Sequence, residues 1–231
     1  MKTILITGIN KGLGKALFDL LIERGYFVYG LLRNEEAYQA LSKNKPNNAE
    51  FILADVIDDD CMDSIKAVVT NEKIDLLINN AGIGGNAMKL REVTSKEILD
   101  LVNVHCLGAL RVTKAVISNL EISDKPTVIN LSSRLGSITH QDKGTFGFLE
   151  VSYSYRISKA SQNMLTNCLR LEFPKIKFVS LTPGRLITEL AQKDANLTPE
   201  ESAKRIINFW EEERFENTNG ILEIPDNIMQ W

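Results

Sequence analysis

The sequence holds few of the residues that would commit it to a metal site, a disulfide scaffold or a polyanion. It has two histidines in 231 residues, with no cluster of cysteines or carboxylates nearby, so a structural zinc site is not expected. Its three cysteines, Cys61, Cys106 and Cys168, are odd in number and widely spaced, which argues against a disulfide framework and for a reducing compartment. Positive charge is not in excess. Lys+Arg number 27 against 30 Asp+Glu, a net charge of −3 with no basic run, so the footprint of a nucleic-acid binder is missing and no such partner is expected. Long hydrophobic runs are also lacking. Apolar stretches reach about half a dozen residues, as at 27–32, where a bilayer span takes roughly 20. The opening MKTILITG is too short an apolar run for a signal peptide. These absences predict no membrane partner and a cytoplasmic location. What is present, 44% apolar and 25% charged residues, is the composition of a globular domain. No linker, repeat or low-complexity tract divides the chain, so residues 1–231 are expected to form one domain.

Short apolar runs alternate with amphipathic segments. Strands are predicted at 3–7, 27–32, 50–54, 74–79, 127–131 and 178–181, with a weak seventh at 220–224. Most are continuously apolar, which suits strands buried on both faces of a parallel sheet. Helices are predicted at 13–24, 35–42, 59–69, 95–119 and 154–171. This alternation implies right-handed crossovers and an α/β, Rossmann-type doubly wound sheet of about seven strands with helices on both faces. Two stretches break the rhythm. Residues 136–150 carry three glycines and no helical period, and read as a long loop; 184–199 are irregular before a helix opening at Thr198-Pro199-Glu200-Glu201, a capping-box signal. Loops of this length in a compact domain are usually functional, so 136–150 and 185–198 are expected on the substrate side.

The segment Gly8-Ile9-Asn10-Lys11-Gly12-Leu13-Gly14 joins the first strand to the first helix. Glycines there allow a tight turn and close approach of a pyrophosphate, and the helix N-terminus offers unpaired N–H groups with a partial positive charge. Their spacing is Gly-x₃-Gly-x-Gly, different from the Gly-x-Gly-x₂-Gly of long-chain dehydrogenases. At the end of strand two, where a carboxylate would bind the ribose 2′-hydroxyl of NAD, the chain has Arg33. Arg33 with Lys11 makes a clamp for a 2′-phosphate, so NADP is predicted over NAD.

Tyr155 and Lys159 stand four apart on a predicted helix, hence on one face. A phenol with a pKa near 10 becomes a useful acid–base group when an ammonium lies beside it. Tyr153 is a rival, but its residue four on is Ile157.

In order along the chain, Thr7–Gly14, Asp55-Val56, Asn79-Asn80-Ala81-Gly82, Asn103, Ser132-Ser133, Tyr155-x₃-Lys159 and Pro183-Gly184-x₃-Thr188 resemble the short-chain dehydrogenase/reductases, and within them the C-factor/sniffer-type carbonyl reductases. The resemblance implies a reaction and its residues. Tyr155 would be the proton donor in carbonyl reduction, and Lys159 would lower its pKa and hold the nicotinamide ribose. Ser133 would polarise the substrate oxygen, and Asn103 would anchor a water relay behind Lys159. Successive strand side chains alternate in direction, so only one of Ser132 and Ser133 faces inward; position in the pattern favours Ser133. Asp55 and Val56 would meet the adenine, Asn80, Ala81 and Gly82 would let the dinucleotide pass close, and Pro183, Gly184 and Thr188 would flank the nicotinamide.

The function expected is therefore NADP(H)-dependent interconversion of a small-molecule carbonyl and alcohol by a homodimer or homotetramer. The alternative is a catalytically weak dinucleotide-binding signalling protein of the C-factor type. Ser133 and Tyr155 are 22 residues apart because of the intervening segment with His140 and Phe146. Phe146, Phe148, Leu186 and Leu190 suggest a partly apolar pocket. His140 is expected in solvent and His105 on a helix without catalytic duty.

Overall fold

The computed structural model describes residues 1–187, 194–215, 220–224 and 227–231. Six parallel strands, β1 (Thr3–Thr7), β2 (Phe27–Leu32), β3 (Ala49–Leu53), β4 (Leu76–Asn79), β5 (Thr127–Leu131) and β6 (Lys177–Thr182), form the body of the sheet. Two short strands, β7 (Ile221–Glu223) and β8 (Asn227–Met229), complete the order β3-β2-β1-β4-β5-β6-β7-β8, with only β8 antiparallel. Three-residue strands leave too little periodicity to read, which is why β8 escapes the sequence analysis and β7 is only weakly visible there.

The continuous apolar strands divide their side chains between two faces. Ile4 and Ile6 of β1 pack with α1 (Gly12–Glu23) and α8 (Pro199–Glu211) through Leu17, Phe18, Leu21, Ile206 and Trp210. Leu5 points the other way, into a cluster with Ile65 of α3 (Cys61–Val68), Val112 and Val116 of α5 (Gly108–Glu121) and Leu169 of α7 (Tyr153–Glu172). The order of strands reverses between β1 and β4, and this opens a crevice at their carboxyl ends, the general ligand site of doubly wound sheets.

The helix predicted at 95–119 is one continuous run made of α4 (Ser95–Val102), a π turn (Asn103–Leu107) and α5. Among the described residues this is one helix long and apolar enough to cross a membrane by length and composition. Its apolar residues Val104, Val112, Ala115, Val116 and Leu120 are accounted for by the core under the sheet.

The segment read as a long loop proves more ordered. Ser133 opens a 3-10 turn at Arg134–Gly136, and Ser137 caps a short helix, α6 (Ile138–Asp142), by accepting from the His140 N–H at 3.2 Å. Helix α2 (Glu35–Ser42) follows β2 and is capped by Asn34, and the capping box predicted at Thr198 is present on α8. Phe146, Leu149 and Val151 pack with Leu135, Ile221 and Met229 into a separate small core. One turn of helix is too short to leave a period in the sequence, and the packing partners lie about 80 residues away.

Candidate active site

The turn after β1 is shaped by glycine. Gly8 takes φ +77° and Gly12 φ +56°, left-handed values that a side chain disfavours. Gly8 N–H donates to Leu31 O at 2.7 Å, while Thr7 Oγ1 accepts from the N–H groups of Asn80 and Ala81 at 3.0 and 2.9 Å. The Asn80 side chain donates to Thr7 O and Gly8 O at 2.8 and 3.1 Å, so the turns after β1 and β4 are stitched together. Gly14 closes this packing: a Cβ there would stand 2.1 Å from Gly8 O and 2.4 Å from Asn80 Nδ2. Gly14→Ala is therefore expected to weaken the fold by about 2 kcal/mol in urea unfolding and to weaken dinucleotide affinity; an unchanged midpoint and affinity would refute this packing argument. Helix α1 begins with Lys11 in extended conformation, without a side-chain cap and without an acidic residue in its first turn, an arrangement suited to an anion.

A cleft of about 1010 Å³ runs from this turn across the crevice. Gly8, Asn10, Lys11, Gly12, Leu13 and Gly14 line one end with Arg33, Asp55 and Val56; Asn80, Ala81 and Gly82 line the middle; Ser133, Tyr155, Lys159, Pro183 and Gly184 line the other end. Thr188 and Leu190 lie outside the described residues. The volume is at the upper limit of ordinary ligand pockets, which suits a dinucleotide with a small substrate. Arg33 is 59% exposed and reaches Asp55 at 3.6 Å, so the guanidinium placed by sequence at the adenosine end shares its charge with a neighbouring carboxylate.

At the far end the two serines part. Ser132 Oγ donates to Asn163 Oδ1 on α7 at 2.6 Å, whereas Ser133 Oγ accepts from the Leu135 N–H at 3.2 Å and stands beside the Tyr155 phenol. Ser152 caps α7 by accepting from the Tyr155 N–H at 3.2 Å, which fixes the first turn on which Tyr155 rides. Lys159, 5% exposed, donates to Leu131 O at 2.7 Å and to Gln162 Oε1 at 3.0 Å. Its nitrogen lies 5.9 Å from the Tyr155 ring centroid. Burial lowers the lysine pKa to about 7 and raises that of the phenol, with the nearby Ser133 hydroxyl pulling the phenol back. The downward pull of Lys159 on the phenol expected from the four-residue spacing is thus not what sets it here; the ammonium is turned to the end of β5.

Asn103 is not brought to the site. Its side chain donates to Ile57 O at 3.3 Å and accepts from Arg111 at 2.8 Å, and it is not among the residues lining the cleft. Two positions along a helix are roughly half a turn, and it is His105 that faces Tyr155, with ring centroids 5.6 Å apart at 86°. Sequence reasoning passed over His105 because the π turn adds a residue and shifts the helical phase. His140 is not free in solvent either: Nδ1 is 2.9 Å from Ser137 Oγ, and the ring stacks on Phe146. Phe146 is buried in its own small core and Phe148 is exposed, so of the expected pocket residues Leu186 is the one seen lining the cleft.

A family model described as short chain dehydrogenase matches residues 2–198. The structure resembles the NADPH-bound carbonyl reductase from chicken fatty liver with a TM-score of 0.87 at 25% identity, covering 100% of this chain and 99% of that one. It resembles the carbonyl reductase Sniffer of D. melanogaster with a TM-score of 0.83 at 27% identity, covering 100% of both. In sequence it is 30% identical over 139 residues to the 3-oxoacyl-acyl-carrier-protein reductase FabG of Vibrio harveyi, 59% of this chain and 57% of that protein. The chain spans a little over half the length of the FabG reductases it matches. A glycine turn packed against the turn after β4, a Tyr-x₃-Lys pair at the mouth of the same cleft and a family match over most of the sequence agree: the chain belongs to the short-chain dehydrogenase family.

Proposed function

We propose that the protein reduces a ketone or aldehyde with NADPH, or oxidises the corresponding alcohol. The observation that carries this reading is the convergence of Ser133, Tyr155 and Lys159 at one end of the glycine-lined cleft. A bound nicotinamide supplies the hydride. The chain supplies the rest. The turn Gly8–Gly14 and the uncapped start of α1 hold the pyrophosphate, Val56 and Asp55 flank the adenine, and Pro183 and Gly184 border the nicotinamide end. Ser133 donates a hydrogen bond to the substrate oxygen, and the Tyr155 phenol gives that oxygen its proton. Lys159 holds the ribose. Thr188 belongs to the same proposal as a contact to the amide or pyrophosphate.

Arg33 and Lys11 support NADPH over NADH, because both line the adenosine end and a basic residue stands at the end of β2 where an NAD site carries a carboxylate. Arg33→Ser should weaken NADPH binding about tenfold, the scale of a charged hydrogen bond, and leave NADH binding unchanged. Equal losses for both cofactors in a fluorescence titration would remove Arg33 from the 2′-phosphate site. The reaction itself is tested by following NADPH absorbance against a panel of small aliphatic and aromatic ketones and aldehydes. Carbonyl-dependent NADPH oxidation is expected. Tight binding without turnover on any of them would instead favour the dinucleotide-binding signalling reading.

A further inference from the structure

His105 is the buried titratable group beside Tyr155 that the proposed chemistry does not use. It sits in the π turn, 1% exposed, with both ring nitrogens engaged. The Ile83 N–H donates to Nε2 at 3.1 Å, and Nδ1 lies 2.8 Å from Ser158 Oγ. Ser158 Oγ in turn donates to the Tyr155 carbonyl at 3.0 Å. The directions follow from the donors. A backbone N–H can only donate, so Nε2 carries a lone pair; a neutral imidazole then carries its proton on Nδ1 and gives it to Ser158. The chain reads Ile83 N–H to His105 to Ser158 to the backbone of Tyr155, with one direction throughout.

This chain joins two parts of the site. Ile83 follows Ala81-Gly82 in the loop lining the middle of the cleft, and Ser158 lies on the turn of α7 that carries Tyr155. Space at the joint is limited: a Cβ on Gly82 would come within 3.2 Å of His105 Nε2. The ring edge also packs against Tyr155. We infer that His105, held as the neutral Nδ1–H tautomer, is a positioning residue that sets Tyr155 against the cofactor-side loop. This inference rests on the reading of the site as a carbonyl reductase. Protonation would set an Nε2–H against the Ile83 N–H and lose that bond. The titratable groups facing the ring among the described residues, Tyr155 by packing and Lys159 by charge, both come from α7. Burial first, then Lys159, holds the imidazole well below its ordinary pKa.

The test uses the whole protein. Long-range ¹H–¹⁵N correlation of the imidazoles should show one ring with a protonated Nδ1 and a bare Nε2, unchanged from mildly acidic to mildly alkaline pH and missing in His105→Gln. The chain has two histidines, so the assignment is direct. His105→Phe keeps the ring and loses both hydrogen bonds; kcat should fall about a hundredfold, the cost of a small misplacement of a reacting group, with KM for the carbonyl changed far less. His105→Asn, which can still donate to Ser158, and His105→Gln, which can still accept from Ile83, should each recover part of that loss. An Nε2–H tautomer, a ring that protonates near neutral pH, or wild-type kcat in a folded His105→Phe would overturn the inference. Absence of turnover in the wild type would count against the carbonyl-reductase reading instead, and the ring signals would still decide the tautomer.

Discussion

Tyr155→Phe should lower kcat for carbonyl reduction about a thousandfold, within the range that a positioned acid contributes, while NADPH binding stays near the wild-type value. The substitution removes one oxygen and keeps the ring that packs edge-on against His105. The phenol lines the cleft together with Ser133, and in the proposed reaction its loss removes the proton that the reduced substrate needs. Burial shifts the phenol upward, which keeps it protonated across the neutral range. The sign for the two directions follows. Reduction needs the acid form and should hold steady from acid to neutral pH; alcohol oxidation needs the phenolate and should rise with pH through the alkaline range. Steady-state rates of both directions against pH check this. Oxidation faster at pH 6 than at pH 9, or substantial turnover by the phenylalanine variant, would remove Tyr155 from the acid–base role.

Lys159→Met should abolish most turnover and yet stabilise the fold, by a few kcal/mol at pH 6. Lys159 is buried, and its pKa falls from 10.5 to about 7 in the folded protein. Below pH 7 the lysine is charged in both folded and unfolded chains, so the native state carries the whole cost of a buried ammonium. Between pH 7 and about 10.5 the unfolded chain binds a proton that the folded one does not, and wild-type stability rises with pH through this window. Above it the cost is gone. The stability difference between Lys159→Met and wild type should therefore be largest at pH 6 and shrink by pH 9. The loss of donors to Leu131 O and Gln162 Oε1 reduces the gain at every pH. Urea unfolding of both proteins at the two pH values measures the difference directly; a gap that does not change with pH would contradict the assignment of this cost to Lys159.

The strands were legible because a sheet buried on both faces demands unbroken apolar runs, and residues 3–7, 27–32 and 127–131 are such runs. The glycine turn was legible for a backbone reason: Gly8 and Gly12 take left-handed φ, and a Cβ at Gly14 would run into Gly8 O. Tyr155 and Lys159 were legible because both lie on one helix, where spacing fixes facing. What failed did so where spacing stops fixing direction. Asn103 and His105 lie in a π turn, and a change of phase there exchanges the residue facing the site for the one facing Ile57 and Arg111. The conformation of 136–150 depends on Ile221 and Met229, contacts that no local pattern contains. Lys159 pairs with Leu131 O, a partner set by the end of a strand 28 residues earlier, and so the charge that spacing assigned to the phenol goes elsewhere.

The most direct test of a dinucleotide site built from Gly8–Gly14, Arg33 and Asn80–Gly82 is a titration of the purified protein with NADPH and with NADH, followed by nicotinamide fluorescence. Saturable binding of both, tighter for NADPH, is the predicted result. Binding of neither would contradict the account at its centre, because the cleft would then have no dinucleotide for Tyr155 and Lys159 to serve.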